Sequence, residues 1–137
     1  MEHIAIQNKE YTFDSLPTLS ILCRCKLRKD PPYDKVTPGD IVYILQDGLI
    51  KVKTTVLRVL SKEYDDISEI RNLCEGTSPS LYNGVNYWNA MRNRHYGTVV
   101  WLANNNPLAK PIRPKTRSYG HDWIVLDNQQ KRQKWLG

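Results

Sequence analysis

Two β-rich runs joined by a two-residue turn constrain this chain more than any other feature. Ile41-Val42-Tyr43-Ile44-Leu45 follows Pro38-Gly39-Asp40, and Ile50 to Leu60 follows Asp47-Gly48. Pro38 and Gly39 suit a turn into the first run, and Asp-Gly tolerates the left-handed backbone of a tight hairpin. Lys35–Leu60 is therefore read as a hairpin. Strand alternation expects Ile41, Tyr43 and Leu45 on one side and Val42 and Ile44 on the other. In the second arm it expects Ile50, Val52, Thr54, Val56, Arg58 and Leu60 on one face and Lys51, Lys53, Thr55, Leu57 and Val59 on the other. One end of that arm is polar outside and the other is covered on both sides, as in a small closed barrel with an end emerging into solvent.

The rest of the chain supplies more strands and two helices. Ile4 to Ile6 reads as a short edge strand, Asp14-Ser15-Leu16-Pro17 as a turn or single helical turn, and Leu19 to Cys25 as an alternating strand. After Leu60 the period changes. Tyr64, Ile67, Ile70 and Leu73 or Cys74 recur at helical spacing, with Gly76 just past the end. Thr77-Ser78-Pro79-Ser80 breaks the chain, Tyr87 to Arg94 is a second short helix, and His95 to Leu102 returns to strand. Asn104-Asn105-Asn106-Pro107 opens a long, proline-punctuated basic loop that closes on the strand Trp123 to Leu126. The order predicts an α+β fold, a small barrel with flanking helices, in one domain over the 137 residues. Residues 128–137 form a basic end, as a helix or a flexible tail. A domain of this length buries roughly two-thirds of its unfolded surface, enough to fold without metal or disulfide.

No apolar run approaches the roughly 20 residues that span a bilayer, and Met1 to Ala5 lacks the regions of a signal peptide, which points to a cytoplasmic protein. Cys23, Cys25 and Cys74 cannot all pair, which suits a reducing compartment. Cys23 and Cys25 face the same side of a strand and read as small core residues. Their spacing is too short for a zinc knuckle, and His3, His95 and His121 are scattered, so no metal is expected. No glycine-rich phosphate loop, Gly-x-Ser-x-Gly or His-Glu-x-x-His occurs, and no cofactor is expected.

The formal net charge of +6 is unevenly spread. The nine cations from Arg92 onward meet only Asp122 and Asp127, whereas the eleven before it meet twelve carboxylates. Within the basic third, Lys110 to Trp123 combines Arg113, Lys115 and Arg117 with Tyr119, His121 and Trp123. Cations meet phosphates, flat rings stack on bases, and Pro111 and Pro114 reduce the freedom lost on binding. The expected partner is RNA or another nucleic acid; the alternative is a solvated basic loop around core aromatics. Arg24, on a strand and opposite to Cys23 and Cys25, is a candidate for a phosphate or base edge, or for an ordinary ion pair.

Arg24, the Pro38-Gly39-Asp40-Ile41-Val42-Tyr43 turn and strand, the Asp65 to Ile70 helix ending in Glu75-Gly76, Trp88, Tyr96 and Val99-Val100-Trp101-Leu102 together resemble an ASCH domain of the PUA-like superfamily, from about Leu19 to Leu102. The resemblance implies a PUA-like β-barrel with helices beside it and a cleft associated with RNA or modified nucleotides. It also implies, in members resembling amidohydrolases of acetylated cytidine, a catalytic Lys, Thr and helix-end Glu. Glu75 matches the last. Aligning the family's first-strand Arg with Arg24 puts Leu19 and Leu22 where the Lys and the Thr or Glu would stand; a slip of one or two residues would bring in Lys26 or Thr18. A carboxylate without a nucleophile or a perturbed lysine cannot run that reaction. The reading is thus a binding module, with Arg24 and Lys26 joining the basic loop. The alternatives are a nucleic-acid or nucleoside hydrolase centred on Glu75 and a module for an acidic partner.

Overall fold

The computed structural model describes residues 1–8, 16–78, 82 and 86–137, so Asp14-Ser15 and Pro79-Ser80 lie outside the described residues. Six strands form one curled sheet: β1 (Glu2–Ile6), β2 (Ile21–Lys26), β3 (Ile41–Gln46), β4 (Leu49–Glu63), β5 (Tyr96–Ile112) and β6 (Trp123–Leu126). The order is β2-β5-β4-β3-β1-β6. Among the described strands only β1 and β3 run parallel. Three helices flank the sheet: α1 (Ser68–Glu75), α2 (Tyr87–Met91) and α3 (Gln129–Leu136).

The hairpin forms where expected. Asp47 and Gly48 have φ of 55° and 77°, the paired left-handed conformation whose twist matches the flanking strands. Val42 and Ile44 point into the barrel with Ala5, Leu22, Val52, Val56, Val100, Leu102 and Trp123. Ile41, Tyr43 and Leu45 point outward to a cluster that includes Trp135 of α3. Elsewhere on the outer face, Ile21, Cys23, Cys25, Val99 and Trp101 pack under Ile70 and Cys74 of α1 and Tyr87 and Trp88 of α2. This curled sheet wrapped by short helices is of the α+β, PUA-like class expected, but as a half-barrel with edges β2 and β6 and not a closed one.

Three expectations need correction, and one open alternative is resolved. The second hairpin arm does not keep one face throughout, because register shifts at Ile50/Val52, Lys53/Thr55 and Val56/Arg58 bend it. Past the last shift Val59 joins the interior, and Arg58 stands outside with its guanidinium 4.5 Å from the Trp101 ring centroid. The Asn104–Pro107 stretch is strand, not loop. The long β4 gives it a partner, with Val52 opposite Pro107 and Lys53 opposite Asn106, while the described ladder to β2 stops at Trp101. Pro107 can lack an N–H there because it lies past that ladder, beside a bulge. Ile4 to Ile6 is not an edge, since β6 pairs on its outer side. Residues 129–136 are a docked helix: Asn128 Oδ1 accepts from Lys131 N at 2.8 Å as its N-cap, and Trp135 is buried.

Candidate functional site

The two edges of the half-barrel are joined by side chains. Arg24 projects from β2 and donates through Nη2 to Ile6 O and Gln7 Oε1, both at 2.8 Å. Its Nε lies 3.5 Å from Asp122 Oδ2, and its guanidinium stands 5.8 Å from the Trp123 ring centroid. Lys26 pairs with the other oxygen of Asp122. Asp122 also accepts from Ile6 N through its backbone at 3.0 Å. One carboxylate just before β6 thus holds two cations of β2. On the outward side of β2, Cys23 O accepts from Arg24 Nη1 at 2.9 Å and from Tyr87 Oη at 3.2 Å, and Cys25 O accepts from Arg94 Nη1 at 3.0 Å.

Behind the seam is a buried polar chain that sequence reading missed. The Trp123 indole donates to His3 Nδ1 at 3.1 Å. That places the imidazole proton on Nε2, which donates to Asp40 Oδ2 at 2.8 Å. Burial pushes the His3 pKa below its ordinary value, against the opposing pull of Asp40. Burial alone would raise Asp40, but hydrogen bonds from His3 and Thr37 N outweigh it and hold the carboxylate low. The three groups lie on different strands and loops, so only the fold brings them together.

In front of the seam opens a cleft of about 890 Å³. Its walls are the segment after β2, the loop before β6, and α3. Six cationic side chains line it, Lys26, Lys35, Arg94, Arg117, Lys131 and Lys134, against Asp30, Asp122 and Asp127. Lys26 is held by Asp122, and Lys131 lies 3.1 Å from Asp127. Lys35, Arg117 and Lys134 make no ion pair among the described residues. The large apolar and aromatic side chains most exposed among the described residues are Met1, Leu27, Leu57 and Tyr119; all but Leu57 line this cleft. Tyr119 is 82% exposed. It sits at φ 51° beside Gly120 at 87°, in a turn closed by His121 N donating to Ser118 O at 3.1 Å.

The structure divides the residues singled out in sequence. Lys26, Arg117, Tyr119, His121 and Trp123 all line the cleft. Trp123 is only 3% exposed, so it backs the cleft and offers no free face for stacking. Arg24 is 7% exposed and takes the ion-pair alternative, as a positioning group behind Lys26. Arg113 lies on the far side of the loop. Lys115 does not line the cleft, its backbone N–H being tied to Lys134 O at 2.8 Å. Glu75 is away from the cleft, paired with Arg71 on the surface of α1 at 2.7 Å. Lys35 and Leu27 were missed; a lone leucine inside Lys26-Leu27-Arg28-Lys29 was the available signal. Cys23, Cys25 and Cys74 are buried under the helices. The contact with Cys23 and burial raise the Cys25 thiol, and against the opposing effect of Cys25, Cys74 and burial raise that of Cys23, so both stand far above their ordinary range and are inert. No cluster among the described residues is arranged to hold a metal ion.

Sheet order, seam and flanking helices define a PUA-like α+β barrel with an open cleft at its edge. Among solved structures the fold is that of ASCH domains. The ASCH protein of Zymomonas mobilis matches with a TM-score of 0.62 at 10% identity, over 97% of this chain and 92% of that one. A point mutant of it reaches 0.66, at the same identity and coverage. The N-terminal domain of Staphylothermus marinus McrB matches with a TM-score of 0.55 at 11% identity, over 97% and 92%. No family model and no curated protein matches the sequence. No helix among the described residues is long and apolar enough to cross a membrane.

Proposed function

We propose that this chain binds RNA, or a ligand built from nucleotides, in the cleft between the loop before β6 and α3. One observation carries the reading: the cleft that gathers an excess of cations also collects Met1, Leu27 and Tyr119, three large side chains the fold leaves uncovered. A polyanion with flat bases uses both features at once. Arg117, Lys35 and Lys134 meet phosphates, Tyr119 stacks on a base, and His121 adds a second ring. Lys26, positioned by Asp122 with Arg24 behind it, meets the ligand at the floor. The fold shared with ASCH structures is compatible with this use and does not decide it. Hydrolysis centred on Glu75 has less support, because that carboxylate stands away from the cleft.

The test is a fluorescence-anisotropy titration of a labelled single-stranded RNA over a range of salt. With about three phosphate contacts, log affinity should fall against log salt with a slope near −2, about −0.7 for each contact. The combined variant Lys35→Ala, Arg117→Ala, Lys134→Ala should flatten it. Failure of both RNA and DNA to bind at low salt, or a slope untouched by the triple variant, would remove the reading. Equal binding of polyaspartate would point to an acidic protein partner.

A further inference from the structure

The loop before β6 has a second hollow on its other side, of about 440 Å³. Ile6 of β1, Leu45 of β3 and Trp135 of α3 give it apolar walls, and Arg113 and Arg117 stand over them. No carboxylate lines it among the described residues. The hairpin turn completes it at Gly48, where a Cβ would lie 3.7 Å from Arg113 Nη1. This volume falls in the lower part of the roughly 300–1,000 Å³ usual for small-molecule sites.

The hollow and the main cleft share one wall. Thr116, Arg117 and Ser118 of the loop line both, as does Trp135 of α3. Three residues span about 10 Å at most, so a ligand filling the cleft must lie close to the hollow. A free mononucleotide can occupy only one of the two, whereas a strand can cross the wall. We infer that the hollow is a second nucleotide subsite, which takes the next nucleoside of a single strand held in the cleft. Arg117, on the dividing wall, meets the phosphate between the two units, and Arg113 meets the one beyond. The inference rests on the cleft reading and adds to it a minimum footprint of two nucleotides. It also separates the loop cations: Arg117 serves both sites, Arg113 the second alone, and Lys115 neither.

Oligouridylates of one, two, four and six nucleotides, compared by competition against a labelled RNA, test it. Joining two occupied sites through one ligand should raise affinity by at least about tenfold between the mononucleotide and the oligomers that reach both. The ratio of oligomer to mononucleotide affinity is the readout. Arg113→Ala should collapse that ratio, while Lys134→Ala lowers both affinities and preserves it. Gly48→Asn, which keeps a residue tolerant of the left-handed turn, should also reduce the ratio by crowding the hollow without removing charge. A ratio that survives both Arg113→Ala and Gly48→Asn overturns the second subsite and leaves the cleft reading intact. If no oligouridylate of any length competes, the cleft reading falls and the subsite with it.

Discussion

Trp123 and His3 meet inside the barrel, the indole N–H donating to Nδ1 at 3.1 Å, so the imidazole is held neutral with its remaining proton turned toward Asp40. Protonating Nδ1 would set two donors against each other. Burial depresses the His3 pKa, so the unfolded chain takes up a proton near pH 6.5, before the folded one does. Stability is fully present above that pH and is lost as pH falls toward the folded value. The urea midpoint should therefore drop between pH 7.5 and 5.5, above the range where carboxylates titrate. His3→Gln should flatten the dependence. A wild-type midpoint that does not change with pH would contradict it.

Asp122 joins the two edges of the sheet and also places negative charge at the cleft floor. Asp122→Asn should therefore act in opposite directions on folding and on binding. It leaves buried Arg24 with only its neutral acceptors, weakening the fold by about 1–3 kcal/mol in urea denaturation. It frees Lys26 for phosphate, so RNA affinity at low salt should rise and the salt slope steepen. A variant that weakens binding along with stability would show that Asp122 orders the cleft more than it repels the ligand.

Gly97 lies where α1 presses on β5. A Cβ at this position would stand 2.7 Å from Ile70 Cδ1 and 2.9 Å from its Cγ1, and Ile70 is itself buried. Gly97→Ala should cost about 1–3 kcal/mol through overpacking. Adding Ile70→Val, which removes the Cδ1, should recover part of that loss in a double-mutant cycle. Strict additivity of the two changes would place the strain elsewhere.

Glu75 offers a contrasting case. Its partner Arg71 is on the same exposed helical face, with the cation N-terminal to the acid, the weaker order for a helical pair. Glu75→Gln should change stability by no more than about 0.5 kcal/mol and leave RNA affinity unchanged. Amide hydrolysis of acetylated cytidine should stay at background in both proteins. Turnover abolished by Glu75→Gln would instead make this helix end a catalytic element.

The parts legible in sequence were those encoded locally. Asp47-Gly48 specifies its hairpin within a few residues, and the spacing of Ile70 and Cys74 gives the buried face of α1. The Asn104 to Pro107 stretch was misread because composition there favours a loop, and what makes it strand is β4 lying alongside, some fifty residues earlier. The C-terminal helix is held by Trp135 and Leu136 and by the Arg132–Glu2 ion pair, long-range contacts that sequence cannot distinguish from side chains on a flexible tail. The basic loop is legible in its composition, but the side of it that each side chain occupies is not. Arg113, Arg117 and Trp123 are separated by which wall each occupies, a property of the closed seam.

That closure has a further consequence, for how the chain behaves at high concentration. A bare edge strand is a template on which a second copy can add its own strand, the usual beginning of sheet aggregation. On β2 the outward carbonyls of Cys23 and Cys25 are already occupied by donors from Arg24, Tyr87 and Arg94. A neighbouring molecule would have to displace those side chains before pairing. The aromatic and guanidinium groups around this edge therefore act as a guard against self-association; Arg94→Ala would uncover the Cys25 carbonyl, while Arg24 keeps that of Cys23 covered.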